Sequence, residues 1–166
     1  MSGSTPLYTL AKISTMNKLT ITLENQMDED TLLKFLVMLR ETAIETLALR
    51  KIPDLPFQVL STIAELPFLV DISLEMGRSH EIPIRISSKG LQTMLSKCRS
   101  LESVSLFHNT VVVYDGEQSL TSSQVTSLID QNSMSNIHPN CRWDVEIKTN
   151  RNRKRIHRID ICRSLP

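Results

Sequence analysis

Glycine, cysteine and aromatic residues are all scarce in this chain of 166 residues, which holds four glycines, three cysteines and one tryptophan. With glycine this rare, neither G-x-G-x-x-G nor G-x-x-x-x-G-K-[ST] occurs, so the loops whose backbone amides cradle phosphate are missing. Cys98, Cys141 and Cys162 are odd in number and form no C-x-x-C pair. That argues against a disulfide framework or a thiolate metal site and leaves reduced, mostly structural thiols. His80, His108, His138 and His157 form no H-E-x-x-H or H-x-x-x-H pair, so no metal or other cofactor is expected. No long apolar run exists either. Leu32 to Leu39 is interrupted by Lys34 and is far shorter than the roughly 20 residues needed to span a bilayer. Met1-Ser2-Gly3-Ser4-Thr5-Pro6 carries no basic segment ahead of an apolar one, so no secretory signal is visible. These absences predict a cytoplasmic or nuclear protein with no membrane partner.

Catalytic constellations are equally thin. Cys98 with His108 would supply a nucleophile and a base, but Cys98 closes an amphipathic segment, where a packing role fits better. Ser122, Ser123, Ser127, Ser133 and Ser135 read as helix caps and exposed positions with no base attached, and His138 as a loop residue. No catalytic residue is assigned, and the chain is expected not to be an enzyme.

What the sequence does contain is enough apolar material, 40% of residues, to build the core of one compact domain. Its net charge of +1 hides a polarity: residues 1–141 carry −4 and residues 142–166 carry +5. Arg151, Arg153, Lys154, Arg155 and Arg158 form the basic cluster. Such a cluster serves either as the solvated turn of a hairpin or as an attractor of phosphate or acidic surfaces. No aromatic residues interleave with it to stack bases.

A short apolar pattern recurs. Met16-x-x-Leu19-x-Ile21, Ile44-x-x-Leu47-x-Leu49, Leu69-x-x-Ile72-x-Leu74 and Leu101-x-x-Val104-x-Leu106 share the spacing L-x-x-L-x-L, with starts 28, 25 and 32 residues apart. Ile156-x-x-Ile159-x-Ile161 is a fifth match. A helical segment follows each of the first four. Asp28 to Asp30 precede Leu32, Phe35, Leu36 and Leu39; Pro56 precedes Phe57 to Leu66; Ser87 or Ser88 caps the helix of Leu91, Met94 and Leu95; Thr121 or Ser122 caps that of Val125, Leu128 and Ile129. The repeating unit is therefore a strand plus a helix, and four such units fill residues 16–132. Residues 1–15 remain as a lead-in, poorly ordered or an incomplete cap.

Two segments interrupt the regularity and are expected as hairpin insertions: Glu75 to Ile86, around Gly77-Arg78-Ser79-His80, and Thr110 to Tyr114, ahead of Asp115-Gly116. In residues 133–166, Trp143, Val145 and Ile147 alternate, the basic turn follows, and Ile156 to Ile161 alternates in return. That predicts a C-terminal β-hairpin capping the open edge of the sheet.

Leu101-Glu102-Ser103-Val104-Ser105-Leu106-Phe107-His108-Asn109 reads L-x-x-L-x-L-x-x-N, and Gly90 to Leu101 looks like the helix and lead-in of such a unit. Residues 16–132 thus resemble leucine-rich-repeat proteins of the ribonuclease-inhibitor and F-box-associated type. The Asn position is Glu24, Ile52 and Gly77 in the first three units, so an asparagine ladder is absent and the turns must be held differently. The resemblance implies an α/β fold, a short irregular solenoid of βα units, acting as a protein-binding module. Residues 1–15 are too short for an F-box, so the likeness is to the substrate-recognition part of a ubiquitin-ligase adaptor.

Strand geometry says where a partner would sit. Between the core-facing positions, Lys18, Thr20 and Thr22, then Thr46, Ala48 and Arg50, then Asp71, Ser73 and Glu75, then Ser103, Ser105 and Phe107 face outward in rows. Thr20, Thr22, Ala48, Arg50, Ser73, Glu75, Ser105 and Phe107 are the candidate protein-binding residues, with Phe107 as a large apolar anchor or else covered by Val111 to Tyr114. The alternative site is the basic cluster, with nucleic acid or an acidic surface as its ligand.

Overall fold

The apolar repeats become strands because their last two positions, two residues apart, point to one side of a pleated chain. The computed structural model describes residues 17–22, 28–52, 54–76, 83–132, 142–150 and 155–164. The first strands are β1 (Lys18–Thr22), β2 (Thr46–Ile52), β3 (Asp71–Met76), β4 (Ile84–Ser87) and β5 (Ser103–Asp115). β1, β2, β3 and the first part of β5 lie parallel, side by side and in chain order. Leu19, Leu47, Ile72 and Val104 form one register row, and Ile21, Leu49, Leu74 and Leu106 the next. Leu47, Leu74 and Leu106 are completely inaccessible, and Ile44, Leu69 and Leu101 are buried just ahead of their strands.

The strand starts are locked by a recurring backbone pattern in which one carbonyl accepts two amides from the next unit. Asn17 O accepts from Glu45 N and Thr46 N at 2.8 and 2.9 Å, Glu45 O from Val70 N and Asp71 N at 2.7 and 3.0 Å, and Val70 O from Glu102 N and Ser103 N at 2.8 and 3.2 Å. A series of parallel strands that never reverses direction puts its right-handed crossovers on one face. The helices obey this: α1 (Glu29–Leu39), α2 (Phe57–Ile63), α3 (Ser88–Lys97) and α4 (Ser122–Asn132) pack each against the next. Three of the four starts are capped by side chains, and α2 follows Pro56 with no side-chain cap. Asp28 Oδ1 accepts from Thr31 N at 2.9 Å, Ser87 Oγ from Gly90 N at 3.1 Å, and Thr121 and Gln124 exchange backbone-to-side-chain bonds at 3.3 and 2.8 Å.

Neither interruption is a hairpin insertion. β4 follows β3 but runs parallel to the second half of β5, with Ile84 opposite Val111 and Ile86 opposite Val113. Thr110 to Tyr114 is the continuation of β5, a single strand of 13 residues. Leu55 bridges Ile86 in parallel, tied by Leu55 N to Arg85 O and Ser87 N to Leu55 O, both 2.9 Å. Leu55, Ile86 and Val113 therefore make a second parallel ladder beyond the first, all fully buried. The alternation of Ile84 and Ile86 therefore belongs to a parallel strand and not to a returning one, because alternation says nothing about direction. β2 enters the second ladder through a bulge at Lys51, whose φ of 59° re-aims the chain. The real hairpin is short: β6 (Gln118–Ser119) pairs antiparallel with the end of β5 across Gly116, whose φ of 60° suits the first turn position.

β7 (Arg142–Thr149) and β8 (Ile156–Ser164) pair antiparallel, and β8 lies antiparallel on the remaining edge of β5. Ile161 stands opposite Val104 and Ile159 opposite Leu106. Two core positions spaced by two residues align equally well in either direction, so the fifth match fits the sheet reversed. Among the described residues the fold is mixed α/β: an open, mostly parallel sheet of eight strands with four helices on one face. None of these helices is long and apolar enough to cross a membrane.

Candidate functional site

The other face of the sheet is covered by no described element. Six strands in the order β1-β2-β3-β5-β8-β7 present three register rows there. The first is Lys18, Thr46, Asp71, Ser103, Cys162 and Asp144; the second is Thr20, Ala48, Ser73, Ser105, Asp160 and Glu146; the third is Arg50, Glu75, Phe107, Arg158 and Lys148. Small residues occupy the middle of the first four strands, and charge collects toward β7 and β8.

Side chains on this face are held by one another. Asp160 accepts from Ser105 Oγ at 2.8 Å and from Arg158 Nε at 2.6 Å. Burial pushes its carboxyl up. The hydrogen bonds from Arg158 and Ser105, with the charges of Arg158 and Lys148, outweigh burial and hold it below the ordinary 3.8. The Arg158 guanidinium stands 5.7 Å from the centre of the Phe107 ring, so one cation fixes a carboxylate and caps an aromatic together. Arg50 Nε pairs with Glu75 at 3.3 Å, Lys148 with Glu146 at 3.6 Å, Arg142 with Asp144 at 3.8 Å, and Ser103 Oγ donates to Asp71. The exposed pairs contribute little to stability. Their effect is a locally neutral surface, rich in donors and acceptors, with Phe107 half-buried within it.

No protein-family model, curated protein or solved structure matches the chain.

Among the sequence-assigned sheet residues, Thr20, Ala48, Ser73 and Ser105 share a row on this face, and Arg50, Glu75 and Phe107 share the next, with Thr22 in backbone register with Arg50. Val111 to Tyr114 do not fold back over Phe107, since they extend the same strand. Two residues of the basic cluster are described. Arg158 belongs to the sheet face, where β8 sets it opposite Phe107, and Arg155 is exposed just ahead of β8. Arg151, Arg153 and Lys154 lie outside the described residues. Asp160, Cys162, Asp144, Glu146 and Lys148 were missed as members of the face. Their signal was the alternation of Ile159 with Ile161 and of Val145 with Ile147, which turns the residues between them outward.

Cys98 is buried, its Sγ directed at Leu69 O and Leu66 O at 3.8 and 4.0 Å. Burial pushes the thiol up to about 11, so it stays protonated near neutrality. Among the described residues no three His, Cys, Asp or Glu side chains stand together as a metal set. Chemically the face offers hydrogen bonds, paired charge and one aromatic surface.

Proposed function

We propose that this chain is a protein-interaction module, a short leucine-rich-repeat-like array of βα units that recognises a protein segment on its helix-free sheet face. The observation that carries this reading is the cluster of Phe107, Arg158, Asp160 and Ser105, a half-buried aromatic held by a cation that a half-buried carboxylate fixes in place. Preorganised aromatic and arginine side chains are the groups from which interface anchors are drawn, because ordering them on binding is inexpensive. The small residues Ala48, Ser73 and Ser105 leave room beside that anchor for an incoming chain. Substrate recognition for a ubiquitin-ligase adaptor is one role for such a surface, and the repeat spacing of residues 16–132 is what supports it.

Capture from an extract at about 50 and about 200 mM salt tests this reading. A protein retained at both concentrations by wild type, and lost with Phe107→Ala and with Ser73→Arg, is the expected result. Capture of nucleic acid that vanishes at the higher salt, unaffected by either substitution, would replace it with the basic segment as the binding site.

A further inference from the structure

β7 and β8 set their outward charges in bands. Lys148 stands directly opposite Arg158, and Glu146 directly opposite Asp160, so each of these rungs carries two charges of one sign. Like charges directly opposite destabilise a strand pair. Compensation runs along each strand instead: Arg158 Nε donates to Asp160 at 2.6 Å, and Lys148 lies 3.6 Å from Glu146. The basic rung borders Phe107, which is in register with Arg158 across β5 and β8.

The two bands are not equally open. The Asp160 side chain is 17% exposed, and both its oxygens are taken, one by Ser105 Oγ and one by Arg158 Nε. The Arg158 side chain is 44% exposed, and among the described residues neither terminal nitrogen of its guanidinium has a hydrogen-bond partner. Lys148 is 45% exposed and has one carboxylate for its three donors. Elsewhere in the same row Arg50 and Glu75 pair with each other. Residues 151–154, outside the described residues, are Arg, Asn, Arg and Lys and contain no carboxylate side chain. What this corner leaves unsatisfied is the planar edge of a guanidinium already fixed at its Nε, with an ammonium across from it and an aromatic ring beside it. Such an edge matches a carboxylate with two parallel hydrogen bonds. Glu146 and Asp160, next to the basic rung, oppose a ligand of higher charge, such as a nucleic-acid strand. A single carboxylate is the charge that fits.

Resting on the interaction-module reading, we propose that the partner segment meets the Phe107 cluster with an Asp or Glu side chain, bound by Arg158 and Lys148, and with an adjacent large apolar side chain laid on Phe107. Arg158 then joins two carboxylates, Asp160 through Nε and the partner's through its terminal nitrogens.

Phage-displayed random peptides, selected on the immobilised full chain at about 200 mM salt to screen long-range attraction, test this. Selected clones are expected to share an Asp or Glu next to a large apolar residue. A synthetic peptide of that consensus should bind about tenfold more weakly to Arg158→Gln and to Lys148→Glu, and Phe107→Ala should abolish its binding. Lys148 is exposed, so Lys148→Glu tests the cationic rung even where Arg158→Gln disturbs the sheet. Clones lost with Phe107→Ala that carry no acidic residue, or that bind Lys148→Glu as tightly as wild type, would overturn the proposal and leave the module reading standing. Acidic clones indifferent to Phe107→Ala would belong to the basic segment and overturn it too. If no clone depended on Phe107, both would fall. A dimer in sedimentation that Lys148→Glu dissociates would give the corner to a second copy and overturn the proposal.

Discussion

Asp160 shows how one residue can be both a structural element of the candidate site and a gauge of it. Its carboxyl is held below its ordinary value by Arg158 and Ser105 against the effect of burial, so the folded chain keeps the carboxylate more firmly than the unfolded chain does. The resulting stability is fully present above the ordinary 3.8 and is lost as pH falls through the folded-state value. Wild type should therefore exceed Asp160→Asn in stability by a constant amount above about pH 5, with the difference shrinking below about pH 4. Chemical denaturation of both proteins across that range checks this, and a difference unchanged down to about pH 3 would contradict it. Cys98 and Cys162 give a second contrast. The buried thiol is shifted up to about 11, whereas Cys162 is exposed on the open face. Alkylation of the native protein near about pH 8, mapped by mass spectrometry, should label Cys162 and spare Cys98. The sequence already showed Cys98 at the end of an apolar stripe, so its burial was legible. Asp160 was not, because its partners Ser105 and Arg158 are brought together only when β8 pairs with β5.

At the scale of elements, the parallel strands and their helices were legible because each unit carries its own signals: two apolar positions that set a strand face, a cap residue, and an apolar stripe at helical spacing. The second ladder of Leu55, Ile86 and Val113 was not, since it is built from non-local pairings whose direction no local pattern encodes. The contact between α2 and α3 is another such feature. A Cβ built on Gly90 would lie 2.9 Å from Leu60 Cδ1, 3.0 Å from Leu60 Cβ and 3.2 Å from the Phe57 backbone. Leu60 Cδ1 can rotate away, but its Cβ and the Phe57 backbone move only if the helices separate. Gly90→Ala should therefore lower stability by about 1–3 kcal/mol in a denaturant melt, although alanine alone would favour the helix by about 1 kcal/mol. An unchanged or raised midpoint would mean that α2 and α3 yield freely at this contact.

At the scale of the whole molecule, one hydrophobic layer is shared among the described residues by the four helices and by every strand but β6, so its stability is a property of the array. Leu106 is central to that layer, flanked by Leu74 and Ile159 in register and completely inaccessible. Leu106→Ala is expected to cost about 2–5 kcal/mol and to shift one cooperative transition, as seen by both circular dichroism and tryptophan fluorescence. Two separated transitions would show that the parallel units and the β7–β8 pair unfold independently. The same layering separates two faces: helices occupy one, and the polar rows of β1, β2, β3, β5, β8 and β7 form the other, the face on which the proposed partner would sit. The most direct measurement of that claim is photo-crosslinking in an extract, with the reactive residue placed at Ser73 in the middle of the face or at exposed Lys34 on α1. A discrete protein adduct from Ser73, absent from Lys34 and lost when Phe107→Ala is added, is the result predicted. Equal adducts from both positions, or adducts from Lys34 alone, would contradict it.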